Sequence, residues 1–318
     1  MDKNFDSLIK TVYRKFLFRE PDPEGYAHFS NLLESKQIDE NQFIHTIKNS
    51  DEFKRKQKAE EFNKQKKFIF TGDYELKYII HPNSVLDFLL TQNGVGDKHM
   101  LREIKNLVSP NGIIFDVGAN AGFLSIPLAK DVVPNGEVYS FEPDIDLYDH
   151  LCKNIELNNL QNIHVEKLAM QDDPSLKTAK LCKRRAIHDD GKTNYGLSTI
   201  QNNSEYVVGY ESVLADTIDN FVISKNISSV DLIKIDVEGA EFKVLKGANA
   251  TIMHFHPIII YEFSREIDRL TTSKNTLKCF NYIKNHDYEQ FIISNDKLNS
   301  MLNYDENLID SDIVCVPK

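Results

Sequence analysis

Apolar residues recur along this chain with two different periods, and the change falls near residue 65. Before it the period is helical. Phe5, Leu8, Ile9, Val12, Phe16 and Leu17 share one helix face, Tyr26, Phe29, Leu32 and Leu33 a second, and Phe43, Ile44 and Ile47 a third. The segment Arg19-Glu20-Pro21-Asp22-Pro23-Glu24-Gly25 interrupts them. Its two prolines restrict the residues before them, and Asp22 is placed to cap the helix that follows. Ser50-Asp51-Glu52-Phe53 closes this set. Residues 54–67 are highly charged and read as a solvated helix or linker.

Beyond the change, short apolar runs alternate with amphipathic stretches. Phe68–Phe70 and Leu76–Ile80 predict strands around the Gly72-Asp73 turn, and Met100–Val108 predicts a helix ended by Ser109-Pro110-Asn111-Gly112. Strands are then predicted at Ile113–Val117, Glu137–Phe141, Ile163–Leu168, Val230–Ile235 and Ile258–Phe263. Between them fall helices at 122–130, 145–158, 240–248 and 277–285, and two closing strands follow at Tyr288–Ile293 and Ile313–Val316. Residues 171–230 break the alternation with polar sequence that reads as an irregular insert. Such alternation means a parallel sheet covered by helices on both faces, with ligands beyond the carboxyl ends of its strands.

The pattern divides the chain into a small all-α accessory domain, residues 1–65, and an α/β domain, residues 66–318. Charge follows the same division: residues 1–67 carry +2 and the remainder −12, for a total of −10. That balance argues against a nucleic-acid partner, which wants a basic surface. No apolar run approaches the roughly 18–20 residues that span a bilayer. The start, Met1-Asp2-Lys3-Asn4-Phe5-Asp6, lacks an apolar signal core, so the expected location is the cytoplasm. Cys152, Cys182, Cys279 and Cys315 are scattered and read as reduced thiols.

The candidate chemistry gathers at strand ends. The first regular strand ends at Asp116 and enters the turn Gly118-Ala119-Asn120-Ala121-Gly122. The next ends at Glu142, 20 residues after Gly122, where a carboxylate can accept from ribose hydroxyls. A dinucleotide turn wants G-x-G-x-x-G, and Asn120 stands where its second glycine would be. An acid before the turn suits a cationic ligand better than a pyrophosphate. S-adenosylmethionine has a sulfonium, an ammonium and a ribose diol, and it fits this wording. Ala169 and Met170, after the third strand, are placed to lie against an adenine. The fourth strand ends in Lys234-Ile235-Asp236-Val237-Glu238-Gly239-Ala240-Glu241. Asp236 or Glu238 is a candidate general base, and Glu241 reads as a structural acid at a helix start. Glu262 points another acid at the same rim. Asp236, Glu238 and Glu262 have the chemistry to hold a divalent cation, but nothing in their spacing demands one, and no metal is expected. Ser198 and Thr199, inside the insert, are candidates for the substrate side.

These segments resemble the FkbM family of S-adenosylmethionine-dependent methyltransferases, mostly O-methyltransferases. The resemblance rests on F-D-V-G-A-N-A-G-F-L-S from Phe115, S-F-E-P-D from Ser140 and N-I-E-L-N-N-L-Q-N-I-H-V-E-K-L-A-M from Asn154. Its most specific part is D-L-I-K-I-D-V-E-G-A-E-F-K-V-L-K-G-A from Asp231, and it covers roughly residues 70–318. It implies the class I, Rossmann-like methyltransferase fold, with a seven-stranded sheet ending in an antiparallel hairpin. It also implies cofactor contacts at Asp116, Gly118, Asn120, Gly122 and Glu142. The R-x-P-D-x-x-G signature at Arg19–Gly25, with S-D-E-F at Ser50, resembles a short helical domain of unknown function found beside sugar-modifying enzymes. Together the two resemblances imply an O-methyltransferase acting on a hydroxyl of a sugar, glycoconjugate or related small molecule. The rivals are an RNA methyltransferase, opposed by the acidic balance, and a nicotinamide-dependent oxidoreductase, opposed by Asn120. Neither the acceptor's identity nor the oligomeric state follows from the sequence.

Overall fold

The structure is a computed structural model and describes residues 5–17, 19–187, 192–201, 206–271, 273–294 and 297–318. Its contacts divide the chain into two units. The first takes the N-terminal residues through Lys67 together with His81–Phe88 and Ile187–Asn194, and the second takes the remainder.

In the first unit lie helices α1 (Phe5–Val12), α2 (Pro23–Glu34), α3 (Glu40–Asn49) and α4 (Asp51–Asn63). Their shared core is Ile9, Val12, Tyr13, Leu17, Leu33, Phe43 and Ile47, all at most 4% exposed. Fully burying an aliphatic or phenyl side chain contributes about 1.5–3 kcal/mol. The R-x-P-D-x-x-G signature has a structural cause. Asp22 caps α2 by accepting from the Gly25 N–H at 2.8 Å, and Pro23 starts the helix without needing a donor. The Arg19 guanidinium donates to both Glu52 oxygens, at 2.8 and 3.0 Å, and to Asp22 at 3.0 Å. It thereby joins the two motifs that the sequence holds 33 residues apart. A Cβ at Gly25 would stand 2.6 Å from the Tyr13 hydroxyl, so glycine leaves room for that side chain.

The second unit opens with an antiparallel pair, β1 (Phe68–Thr71) and β2 (Lys77–Ile80), and helix α5 (Lys98–Leu107). The main strands are β3 (Ile113–Val117), β4 (Glu137–Phe141) and β5 (Ile163–Glu166), with α6 (Ile145–Asn158) between the last two. After them come β6 (Ala169–Met170), β7 (Thr178–Arg184), β8 (Val207–Asp216) and α7 (Ile218–Lys225). The chain closes with β9 (Leu232–Ile235), α8 (Glu241–Gly247), α9 (Asn249–Phe255), β10 (Ile258–Ser264), α10 (Asn275–Lys284), β11 (Tyr288–Ser294), β12 (Lys297–Ser300) and β13 (Asp310–Pro317). The main sheet runs β12-β11-β13-β10-β9-β3-β4-β5. Its strands β5, β4, β3, β9 and β10 are parallel, β13 is inserted antiparallel to β10, and β11 pairs antiparallel with β13 and so runs with the parallel set. This is the mixed α/β, Rossmann-like methyltransferase arrangement.

Three expectations change. The sheet has eight strands, because the short polar segment β12 adds an edge beyond the expected seven. The 171–230 insert is ordered in large part: β8 pairs with β7 over most of its length, and β6 runs parallel to its end. The helix expected at Gly122–Lys130 is reduced to one turn at Ser125–Pro127 followed by a π-helical turn at Leu128–Val132. Pro127 brings no N–H to the helical ladder there. Among the described residues, no helix is long and apolar enough to cross a membrane.

Candidate active site

Pairing across the main sheet places Ser140 of β4, Asp116 of β3 and Lys234 of β9 side by side. Paired residues project to the same face, so a polar row crosses an otherwise apolar sheet at its carboxyl end. The turn after β3 uses left-handed backbone at Gly118 (φ 87°), Asn120 (φ 52°) and Gly122 (φ 83°). A Cβ on Gly118 would collide with the Asp236 carbonyl, so glycine lets the turn pack against the end of β9.

The donors of this turn are engaged within the protein. Gly118 and Ala119 donate to the Phe141 carbonyl at 2.9 and 3.0 Å. Asn120 N–H donates to Glu142 Oε2 at 2.9 Å, Ala121 N–H to Asn120 Oδ1 at 2.8 Å and Gly122 N–H to the Ala119 carbonyl at 2.9 Å. A pyrophosphate is held by free N–H groups. A turn whose N–H groups are engaged presents oxygens instead, which suits a cation.

Asp116 is 1% exposed. Ser125 donates to its Oδ2 at 2.5 Å and Ser140 donates to Ser125 at 2.8 Å, while Oδ1 is buried with no hydrogen-bond partner. An unsatisfied buried acceptor costs about 1–3 kcal/mol, so it marks a place where a donor from a ligand would be stabilising. Burial pushes the Asp116 carboxyl above its ordinary range, and Lys234 pulls it back. Glu142 is 5% exposed and accepts from Asn120 N–H and from Asp144 N–H at 2.8 Å. Burial pushes its carboxyl up to about 8 against these two bonds. Each of its oxygens keeps a lone pair for a hydroxyl. The orphaned Asp116 oxygen, the donor-poor turn and Glu142 therefore fit the ammonium, sulfonium and ribose of S-adenosylmethionine. Ala169 and Met170 are 4% and 3% exposed, and their strand pairs with Ala215 and Asp216. Met170 packs in the main hydrophobic core.

The end of β9 carries the other acids. Lys234, 6% exposed, donates to Asp236 at 2.8 Å, and 38% of the Asp236 side chain stays accessible. Burial alone would lower the Lys234 ammonium, but Asp236, Asp116 and Asp312 hold it above its ordinary range. Glu238 sits at φ 57°, an unusual backbone state for a residue with a Cβ. Burial, then the neighbouring Asp236, pushes its carboxyl up, and Arg184 opposes them. Glu241 opens α8 and is held by backbone and side-chain donors. It accepts from Val237 N–H at 2.9 Å, Gly239 N–H at 3.1 Å and the Asn275 side chain, which fixes the turn. Glu262 pairs in register with Asp312, and burial pushes both carboxyls up, Asp312 to about 7. Among the described residues, no three His, Cys, Asp or Glu side chains are grouped to hold a metal ion.

The insert contributes Ser198 and Thr199, which the sequence offers as candidates, and also Lys183 and Arg185, which it does not single out. Ser198 donates to Asp144 at 3.1 Å and Thr199 donates to the Val237 carbonyl at 3.0 Å, so adjacent residues reach the loops after β4 and β9. Lys183 and Arg185 approach Asp144 at 3.1 and 3.3 Å. No local signal announces these pairings, since they join residues 38 to 54 positions apart.

Residues 116–290 match the family described as the methyltransferase FkbM domain, and residues 2–57 match a domain of unknown function, DUF4214. The chain is similar to Methyltransferase 1 of Beauveria bassiana, 24% identical over 177 residues, covering 53% of this chain and 71% of that one. It is 26% identical over 167 residues to Methyltransferase sdnD of Sordaria araneosa, covering 46% and 64%. It is 24% identical over 168 residues to the hexuronic acid methyltransferase AglP of Haloferax volcanii, covering 52% and 62%. The matches to sdnD and AglP thus span less than two thirds of those proteins. A solved FkbM methyltransferase from Methylobacillus flagellatus aligns with 85% of this chain and 59% of its own, at 18% identity and a TM-score of 0.40.

Proposed function

The chain belongs to the FkbM methyltransferase family, whose methyl donor is S-adenosylmethionine, and from that premise we propose that it methylates a hydroxyl of a sugar or glycoconjugate. The observation that carries the reading is the shared rim. The donor-poor turn after Asp116, the buried Glu142 and the accessible Asp236 stand at the ends of neighbouring strands. Asp116, Gly118, Asn120, Gly122 and Glu142 are the residues that would hold the cofactor, with Ala169 and Met170 beside the adenine. When bound, S-adenosylmethionine supplies an electrophilic methyl on a sulfonium.

The chain's own residues then supply position and a proton acceptor. A hydroxyl is a weak nucleophile near neutral pH, and a positioned base contributes about 10²–10⁴-fold. Asp236 and Glu238 are the catalytic assignments. Asp236 is held by Lys234 with part of its side chain accessible, and Glu238 is a carboxylate of raised basicity in a strained turn. The sugar acceptor draws support from the relative that acts on a hexuronic acid and from the companion helical domain. Residues 1–65 form the accessory domain in this reading and residues 66–318 the catalytic one. The test is methyl transfer from labelled S-adenosylmethionine to a panel of neutral hexosides, hexuronates and lipid-linked glycans. Label on at least one glycan is expected; label on RNA and on no glycan would overturn the assignment.

A further inference from the structure

Asp144 is fully buried, yet it carries a charge that four neighbours answer. It caps α6 through the Asp146 N–H at 3.0 Å, accepts from Ser198 at 3.1 Å, and faces Lys183 at 3.1 Å and Arg185 at 3.3 Å. The last three partners come from the insert. On its other side, the Asp144 N–H donates to Glu142 Oε1 at 2.8 Å, and Glu142 Oε2 holds the glycine turn through Asn120. A continuous path of bonds therefore runs from β7 and the residue after it, through Asp144, to the carboxylate assigned to the cofactor. Arg185 is itself fixed: it donates to the carbonyls of Arg184 and Tyr195 at 3.0 and 3.1 Å and lies over the Tyr195 ring.

The charges along this path oppose one another. Asp116 and Asp144 both act on Glu142 as like charges and raise it. Burial would raise Asp144, but Lys183 and Arg185 hold it below its ordinary range. Asp146 and Glu211 are the remaining acids near these cations, at 3.1 and 3.6 Å from Lys183. An uncompensated Asp144 would thus stand beside Glu142 as a buried negative charge.

We propose that Lys183 and Arg185 are positioning residues for the cofactor carboxylate: through Asp144 they fix Glu142 and screen it from the charge beside it. The inference rests on the assignment of Glu142 to S-adenosylmethionine. It gives the insert a role in cofactor binding.

The test is calorimetric titration of the full chain with S-adenosylmethionine from pH 6 to 9.5. A protonated Glu142 binds hydroxyl donors poorly, so affinity falls on the acid side of a midpoint. In K183M/R185M the unscreened Asp144 should move that midpoint up by about one unit and weaken binding about tenfold near pH 7. D144N removes the like charge and leaves the cations, so it should move the midpoint down. R185K should stay within about threefold of wild type. Opposite shifts distinguish screening from a merely structural loss, which would weaken binding without moving the midpoint in two directions. If K183M/R185M does not fold, the downward shift in D144N decides. Unchanged midpoints in the folded variants, or shifts in the same direction, would overturn the proposal. Glu142→Gln separates the two ideas: a wild-type pH profile there means that the Glu142 assignment itself is wrong.

Discussion

Glu142→Gln replaces one oxygen with an amide at the residue proposed to hold the cofactor ribose. The carboxylate now accepts two N–H bonds, from Asn120 and Asp144. The amide keeps one acceptor and turns an NH₂ toward the other donor. One buried N–H is left unsatisfied, at about 1–3 kcal/mol of stability. That corresponds to roughly 2–4 °C of Tm per kcal/mol for a domain of this size. The effect on binding is separate. Losing a charged acceptor for ribose hydroxyls removes about 1.5–3 kcal/mol, or about 10- to 150-fold in Kd. The pH dependence supplies a second signature. Burial pushes the Glu142 carboxyl up to about 8, so protonation competes with binding below that pH. Hydroxyl donors favour the carboxylate, so binding releases the proton. Wild-type affinity should therefore rise toward pH 8 and level off above it, falling up to tenfold per unit below. The variant should show a flat profile. Calorimetry in buffers of different ionisation enthalpy reads both the affinity and the released proton. A folded variant that binds S-adenosylmethionine within twofold of wild type across this range would refute the reasoning.

Other perturbations test neighbouring parts of the account. Asp236→Asn and Glu238→Gln keep shape and remove basicity; one of them should cut methyl transfer at least about 100-fold with cofactor affinity within a few-fold, measured by initial rates and calorimetry. Near wild-type rates in both would move the base to Glu262 or the insert. Gly118→Ala places a Cβ against the Asp236 carbonyl in left-handed backbone, so differential scanning calorimetry should show a Tm loss of at least about 5 °C. An unchanged Tm would mean that the turn adjusts freely. A chain starting at Lys66 should stay folded by circular dichroism and bind S-adenosylmethionine within a few-fold of the full chain. Aggregation with loss of binding would place the N-terminal helices inside the catalytic unit.

Much of the candidate site is legible in local sequence. Parallel strands bury both faces, so Ile113–Val117 and Leu232–Ile235 are apolar apart from Asp116 and Lys234, and those charges, with Asp236 just beyond, are conspicuous. Gly118 and Gly122 announce a tight turn after the strand, and the structure gives it left-handed backbone at Gly118, Asn120 and Gly122. The insert was harder for a physical reason. On β8 the outward positions include Val208, Tyr210 and Leu214, all more than half exposed, while Glu211 points partly inward. The usual rule of apolar inside and polar outside fails there. On β7, Lys180, Lys183 and Arg184 hide a strand behind charge. The pairing of Lys183 and Arg185 with Asp144 depends on how β7 is placed by β8, which no short window contains. β12 was missed because an exposed four-residue edge strand needs no apolar pattern. Glu241 opens a helix, where nearby N–H groups are available to an acid, and it accepts from two of them.

The most direct test of the central claim is the fate of the methyl group. The chain is incubated with S-adenosylmethionine carrying a CD₃ group and with the glycan that gives turnover, and the product is mapped by NMR and tandem mass spectrometry. The account predicts CD₃ on a sugar oxygen, with one S-adenosylhomocysteine formed per methyl transferred. CD₃ on nitrogen, carbon or a nucleic-acid acceptor, with no labelled sugar oxygen, would contradict it.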